Sequence, residues 1–158
     1  MTNHKQILVV DDEKQLISLV KLHLDMAGYD VLTASDGEKA LSVAAKERPD
    51  LIILDLMLPK MDGWDVCRIL KSDKDTANIP VIMLTARTDT ESVLKGFECG
   101  ADDYVTKPFS PRELIARVKR TLVHAGYLGG KSDENQDNSG IMNTIKDAGY
   151  LMEGETYV

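Results

Sequence analysis

Residues 51–55 have the sequence LIILD, a run of four large aliphatic residues that ends in an aspartate. Similar apolar runs occur at residues 7–10 (ILVV) and 81–84 (VIML), and each is followed by a polar residue. A strand without polar residues on either face is typical of a parallel sheet that helices cover on both sides. These three stretches therefore predict strands of a buried parallel sheet.

Amphipathic segments separate the apolar runs. Leu16, Val20 and Leu24 recur at helical spacing after the first run, and Gly28 follows as a stop signal. This alternation of strand and helix predicts an α/β fold, a doubly wound (βα)5 parallel sheet of flavodoxin-like strand order 2-1-3-4-5. The predicted elements are β1 (7–10), α1 (14–27), β2 (30–34), α2 (37–46), β3 (51–54), α3 (64–71), β4 (81–84), α4 (90–99), β5 (103–105) and α5 (111–124).

The composition divides the chain and limits its partners. Residues 126–140 are rich in Gly, Ser, Asn and Asp and predict a flexible linker after a domain at residues 1–125. The acidic tail at 141–158 has two interpretations, a disordered segment and a short helix. A net charge of −7 disfavours binding to nucleic-acid backbones and anionic membranes.

The N-terminal apolar run is too short for a signal peptide or a membrane span, so we expect a cytoplasmic protein without a membrane partner. The two cysteines, Cys67 and Cys99, form no CxxC motif. Both lie in predicted helices, and the sequence favours small buried or half-buried residues in a reducing compartment.

Polar residues stand where the predicted strands end. Asp11 and Asp12 follow β1, Asp55 follows β3, Thr85 follows β4, and Lys107 lies just beyond β5. In an open parallel sheet, ligands bind at the carboxyl ends of the strands, where the strand order reverses. In the predicted order this point lies between β1 and β3, so we expect the three aspartates to share one site there.

The residue types at this site point to phosphoryl transfer. Three adjacent carboxylates either share protons or bind a hard cation, and an oxygen-only site suits Mg²⁺ with a phosphate co-ligand. Lys107 and Thr85 can hold phosphoryl oxygens, while one carboxylate acts as the nucleophile. Each residue alone also fits a helix cap, a loop start or a turn. The prediction therefore depends on finding residues suited to phosphoryl transfer at the ends of four strands together.

Four segments resemble the receiver domains of bacterial two-component response regulators: ILVVDDE (7–13), LIILDLMLPKMDGWDVCR (51–68), IPVIMLTAR (79–87) and GADDYVTKPF (100–109). The resemblance covers about residues 5–124, and residues 107–122 are most similar to receivers that precede winged-helix DNA-binding domains. It implies a protein that accepts a phosphoryl group from a histidine kinase or phosphotransfer protein. Such a protein catalyses only its own phosphorylation and dephosphorylation and is otherwise not an enzyme.

The resemblance also implies a role for each residue of the site. Asp55 is implied as the phosphoacceptor. Asp12 and Asp55 are implied as direct Mg²⁺ ligands, with the backbone carbonyl of Met57 as a third and Asp11 acting partly through water. Lys107 is implied to pair with the phosphoryl group, and its bond to the following proline is implied to be cis.

Two residues are implied as the switch: Thr85 moves toward the phosphoryl group, and Tyr104 turns inward with it. Ala86 is small and would leave the phosphoryl site accessible. Met57 and Arg87 flank the path of an attacking water, so we expect them to shield the acyl phosphate and slow its hydrolysis.

The surface formed by α4, β5 and α5 is implied as the output face, through which the relatives form phosphorylation-dependent homodimers. Four charged residues match the pattern of that interface: Asp102, Asp103, Glu113 and Arg117. Val93 departs from the pattern, because a basic residue is common at its position, and Lys95 is the nearest replacement.

Three functions compete at this point. The chain could be a stand-alone receiver that acts through protein–protein contacts, or the receiver portion of a DNA-binding transcription regulator without its output domain. The acidic tail lacks a basic recognition helix, so we expect no DNA binding by this chain. A phosphatase with an aspartyl nucleophile would need a second acid at Met57, which cannot transfer a proton.

Overall fold

The computed structural model of the protein describes residues 4–86 and 98–129. Residues 90–97 of predicted α4, which include Val93 and Lys95, lie outside the described residues. So do Arg87, the predicted linker beyond residue 129 and the tail. The observed elements are β1 (Gln6–Val10), α1 (Lys14–Met26), β2 (Asp30–Ala34), α2 (Gly37–Glu47), β3 (Leu51–Asp55), α3 (Gly63–Ser72), β4 (Val81–Thr85), β5 (Asp103–Thr106) and α5 (Pro111–Gly129).

The five strands form one parallel sheet in the order β2-β1-β3-β4-β5, which confirms the predicted topology. β3 lies in the middle. Its Leu54 is in register with Val10 of β1 and with Met83 of β4, so the three strands end at nearly the same level. The residues that follow these strands are therefore brought to one edge.

Side chains that alternate along the strands form two buried layers. One layer includes Leu8, Ile52 and Met83 and packs against α2 and α3. The other includes Ile7, Ile53 and Ile82 and packs against α1 and α5. Burying a large aliphatic side chain stabilises a fold by about 1.5–3 kcal/mol. This two-sided burial explains why the strands consist of apolar residues alone.

Side-chain caps fix where three of the helices begin. The carboxylate of Asp36 accepts a hydrogen bond from the backbone N–H of Lys39 at the start of α2 (2.8 Å). Asp62 caps α3 in the same way, and the Ser110 hydroxyl caps α5 by accepting from the N–H of Glu113 at 3.2 Å. Each cap satisfies an N–H group that the helix itself leaves without a partner.

Helix α5 ends at Gly129, five residues beyond the predicted end at about His124. Its last turn therefore takes up residues 126–129 of the predicted linker. Gly126 marked that predicted boundary, but a glycine inside a helix costs only about 0.5–1 kcal/mol relative to alanine. Within residues 4–86 and 98–129, no helix combines the length and apolar character needed to cross a membrane.

Candidate functional site at the carboxyl edge of the sheet

Three aspartates meet where β1 and β3 end. Carboxylate oxygens of Asp11, Asp12 and Asp55 all lie within 4.8 Å of one another. Asp11 and Asp55 are 1% and 4% exposed, whereas Asp12 is open to solvent. The cluster therefore has a buried floor and one accessible side.

Lys107 places a cation against this cluster from the loop after β5. Its Nζ atom lies 3.4 Å from Oδ2 of Asp11 and 3.5 Å from Oδ1 of Asp55. The peptide bond between Lys107 and Pro108 is cis, which confirms the predicted isomer. The backbone N–H of Lys107 donates to the carbonyl oxygen of Thr85, so the lysine is tied to the end of β4.

The site raises the pKa of both buried carboxyl groups. Burial, with a smaller contribution from the charge of Asp11, raises the pKa of Asp55 to about 6, although Lys107 opposes the shift. Burial also raises the pKa of Asp11, opposed by a hydrogen bond from the N–H of Glu13 and by Lys107. Close carboxylates with raised pKa values favour a bound hard cation, and an oxygen-only donor set fits Mg²⁺.

Gly63 approaches the backbone of Asp55, a feature that the sequence did not reveal. Its N–H donates to the carbonyl oxygen of Leu56 at 2.9 Å. A Cβ atom on Gly63 would lie 2.8 Å from the Cα of Leu56 and would collide with the carbonyl oxygen of Asp55. Glycine at this position therefore lets the loop after β3 fold back and hold Asp55 in place.

The predicted switch residues lie on neighbouring strands. Thr85 is fully buried at the end of β4. Tyr104 lies on β5, and its buried hydroxyl has no hydrogen-bond partner within the described part of the chain. Met57 is 59% exposed beside Asp55, and its backbone N–H lies 3.4 Å from Oδ1 of that aspartate.

Asp103, Glu113 and Arg117 form one network between β5 and α5. The guanidinium of Arg117 donates to both carboxylate oxygens of Asp103 at 3.0 Å and to Glu113 at 3.3 Å. Arg120 also donates to Asp103, at 2.6 Å. Sequence reasoning missed Arg120, although its i+3 spacing from Arg117 places both on one helix face.

Asp102 is turned away from that network, although the same pattern predicted all four residues. Its carboxylate accepts hydrogen bonds from the N–H of Val81 at 2.8 Å and from Lys71 of α3 at 3.3 Å. Lys71 also donates to the carbonyl oxygens of Ala77 and Ile79. Asp102 therefore joins β5 to α3 and β4 inside the domain.

Residues 7–119 match the family model described as the response regulator receiver domain. The chain belongs to the response regulator receiver family. This receiver is 50% identical over 134 residues to the alkaline phosphatase synthesis transcriptional regulatory protein PhoP of Bacillus subtilis, covering 85% of this chain and 55% of PhoP. It is 50% identical over 121 residues to the DNA-binding response regulator MtrA of Mycolicibacterium smegmatis, covering 77% of this chain and 52% of MtrA.

The receiver thus spans about half the length of the curated relatives that it matches.

Solved receivers share its fold. The chemotaxis protein CheY4 of Vibrio cholerae superposes with a TM-score of 0.72 at 35% identity, covering 75% of this chain and 98% of CheY4. The receiver domain of the Francisella response regulator 1452 gives 0.72 at 38% identity, covering 77% and 98%. The protein is therefore a two-component signalling receiver.

Proposed function

We propose that this receiver accepts a phosphoryl group on Asp55 from a histidine kinase or histidine phosphotransfer protein. The observation that carries the proposal is the Asp55 carboxylate, 4% exposed, beside two further aspartates and 3.5 Å from the ammonium of Lys107. The proposal includes a cytoplasmic location, as expected from the sequence. Its chemistry is limited to its own phosphorylation and dephosphorylation.

Mg²⁺ is the metal that the acidic residues would hold. Asp12 and Asp55 would bind it directly, with the backbone carbonyl of Met57, and Asp11 would act partly through water. When bound, the ion neutralises the clustered carboxylates and the charge of the transferred phosphoryl group. The raised pKa of Asp55 supports this assignment, because a cation would relieve the cost of burying the charge.

In the transfer, a carboxylate oxygen of Asp55 attacks phosphorus while the bond from phosphorus to the donor nitrogen breaks. Lys107 would move from its present contacts with Asp11 and Asp55 to a phosphoryl oxygen. The Thr85 hydroxyl would donate to another oxygen. The side chains thus supply positioning and charge, which provide most of the catalysis in phosphoryl transfer.

Phosphorylation would change the α4-β5-α5 surface through Thr85 and Tyr104. The Tyr104 hydroxyl is already buried without a partner in the described chain, and β4 lies between β5 and the acceptor strand. Movement of Thr85 toward the phosphoryl group would make room for the tyrosine ring. The resulting surface would bind a second copy of the receiver or another protein.

Incubation with acetyl phosphate and Mg²⁺, followed by intact-mass analysis, tests the acceptor. The wild type should gain the mass of one phosphoryl group, and chelation of Mg²⁺ should prevent it. Asp55→Ala should gain nothing, while Asp25→Asn, which removes an exposed carboxylate from α1, should react like the wild type. A phosphorylated Asp55→Ala protein would show that another residue is the acceptor.

A second candidate function is the receiver portion of a DNA-binding transcription regulator. It is favoured by the names of the relatives, several of which are DNA-binding or transcriptional regulators about one and a half times as long as this chain. The intact mass of the protein isolated from its source cells decides between the candidates. A mass equal to that of the 158 residues supports a receiver that acts through protein contacts.

A further inference from the structure

Two cysteines that are far apart in the sequence lie side by side in the fold. Cys67, on α3, is fully buried, and Cys99 follows 32 positions later, just before β5. The thiol of Cys67 donates to the carbonyl oxygen of Cys99 at 3.4 Å, and the two thiol groups are within hydrogen-bonding reach of each other. Neither cysteine forms a disulfide in the structure.

The two thiols differ in access and in acidity. Cys99 is half-buried and lines an open cavity of about 370 Å³ together with Trp64, Arg68 and Glu98. The interaction with the neighbouring Cys67 side chain lowers the pKa of the Cys99 thiol to about 7 against the effect of burial, and the same interaction raises the pKa of the Cys67 thiol. A solvent-accessible thiol that ionises near neutral pH is the reactive kind.

We propose that Cys99 and Cys67 are a redox-active pair, which hydrogen peroxide converts to a reversible disulfide between α3 and the segment before β5. The sulfur of Cys99 attacks one peroxide oxygen and the O–O bond breaks. The departing hydroxide takes up the proton of the Cys99 thiol and leaves as water, so that Cys99 becomes a sulfenic acid. The sulfur of Cys67 then attacks that sulfur, the S–O bond breaks, and the Cys67 proton leaves with the hydroxyl as a second water. Two electrons pass from the sulfurs to the peroxide.

The disulfide would add a covalent link to a junction that hydrogen bonds already hold. Residues 98–102 lead into β5, and Asp102 is bonded to Lys71 on the same helix, α3. Cys99 and Tyr104 pack on one apolar cluster that contains Cys67. Oxidation would therefore restrain the start of β5 against α3. This restraint is independent of whether Asp55 accepts a phosphoryl group.

Oxidation of the wild-type protein tests the pair directly. After peroxide treatment, the monomer should lose the mass of two hydrogens, resist thiol alkylation when unfolded, and yield one peptide pair joined through Cys67 and Cys99. A thiol reductant should restore the original mass. Two alkylatable thiols after oxidation, or crosslinks only between chains, would overturn the proposal.

Single variants then test the order of events. In Cys67→Ala, a sulfenic acid should accumulate on Cys99 and be trapped by dimedone. In Cys99→Ala, the buried Cys67 should stay reduced at the same peroxide concentration. Circular dichroism checks that both variants fold. The peptide map of the wild type tests the disulfide even if a variant does not fold. Faster oxidation of Cys67 than of Cys99 would contradict the assigned order.

Hydrogen exchange tests the restraint. Amides in residues 98–106 should exchange several-fold more slowly in the oxidised than in the reduced wild type, whereas α1 should serve as an unaffected reference. Equal exchange in both forms would show that the disulfide does not hold the start of β5.

Discussion

The carboxylate of Asp55 is poorly hydrated, because it ends the central strand and is 4% exposed. Burial raises its pKa from 3.8 to about 6, so the folded protein holds this proton more tightly than the unfolded chain does. One pKa unit corresponds to about 1.4 kcal/mol, so the shift is worth roughly 3 kcal/mol. This contribution to the free energy of unfolding is present in full below the pKa of Asp55 in the unfolded chain. It is lost as the pH rises through the pKa of Asp55 in the folded protein.

The metal-free receiver should therefore lose stability between about pH 4 and pH 7. Urea unfolding in a chelator, measured across this range, should show the free energy of unfolding of the wild type falling relative to Asp55→Asn by roughly 2–3 kcal/mol. Asp25→Asn removes an equal charge from an exposed pair on α1 and should follow the wild type. Parallel pH curves for the wild type and Asp55→Asn would contradict the linkage.

The side chain of Met57 bears on how long the phosphoryl group would stay on Asp55. It is 59% exposed beside the proposed acceptor, where it would obstruct an attacking water. Met57→Asn should therefore lose the phosphoryl group several-fold faster than the wild type, and a double variant with Arg87→Glu should be faster still. The measurement is the decay of phosphorylated protein by intact mass after the donor is removed. Equal half-lives would disprove the shielding role.

At the scale of the elements, Gly63 determines whether the loop after β3 can pack against the backbone of Asp55 and Leu56. Gly63→Ala would push a methyl group into the backbone of Asp55 and Leu56. The free energy of unfolding should fall by about 1–3 kcal/mol, as for other overpacked sites. Because the acceptor strand ends there, the rate of phosphorylation should fall as well.

The matched control for that substitution lies in α5. A Cβ atom on Gly126 would meet nothing within 4 Å, so Gly126→Ala should stabilise the helix by about 0.5–1 kcal/mol. Chemical denaturation measures both variants. Similar effects of the two substitutions would show that helix propensity and not the contact with Asp55 decides the outcome at Gly63.

The elements also show what sequence could and could not predict. Each observed strand ends within one residue of its prediction, because apolar runs and turn residues are local signals. The same signals placed Asp11, Asp55 and Lys107 at one edge of the sheet. The close approach of Gly63 and the contact between the two cysteines depend on the packing of distant segments, which leaves no periodic trace in the sequence.

For the whole molecule, the network on β5 and α5 is the feature that bears on assembly. Arg117→Ala would remove its bonds to Asp103 and Glu113. The phosphorylated variant should dimerise more weakly than the wild type, because Arg117 matches the charged pattern of the proposed interface. The loss should be only several-fold, since an ion pair near the surface is worth ~0–1 kcal/mol. The rate of phosphorylation should not change, since the network lies apart from Asp55.

Sedimentation of the phosphorylated proteins measures this effect. Lys21→Ala, which breaks a more exposed ion pair with Asp25 on α1, is the control and should dimerise like the wild type. If both variants assemble as tightly as the wild type, the dimer does not form through this face.

Helix α5 continues ten residues beyond the end of the family match at residue 119. At about 1.5 Å a residue, this extension is a rod of about 15 Å. Each further residue of such a rod also turns its tip by about 100°. The number of residues in the helix would thus fix the direction in which a domain fused at Gly129 faces. Inserting one residue would rotate that domain by about 100° about the helix axis but move it by only about 1.5 Å.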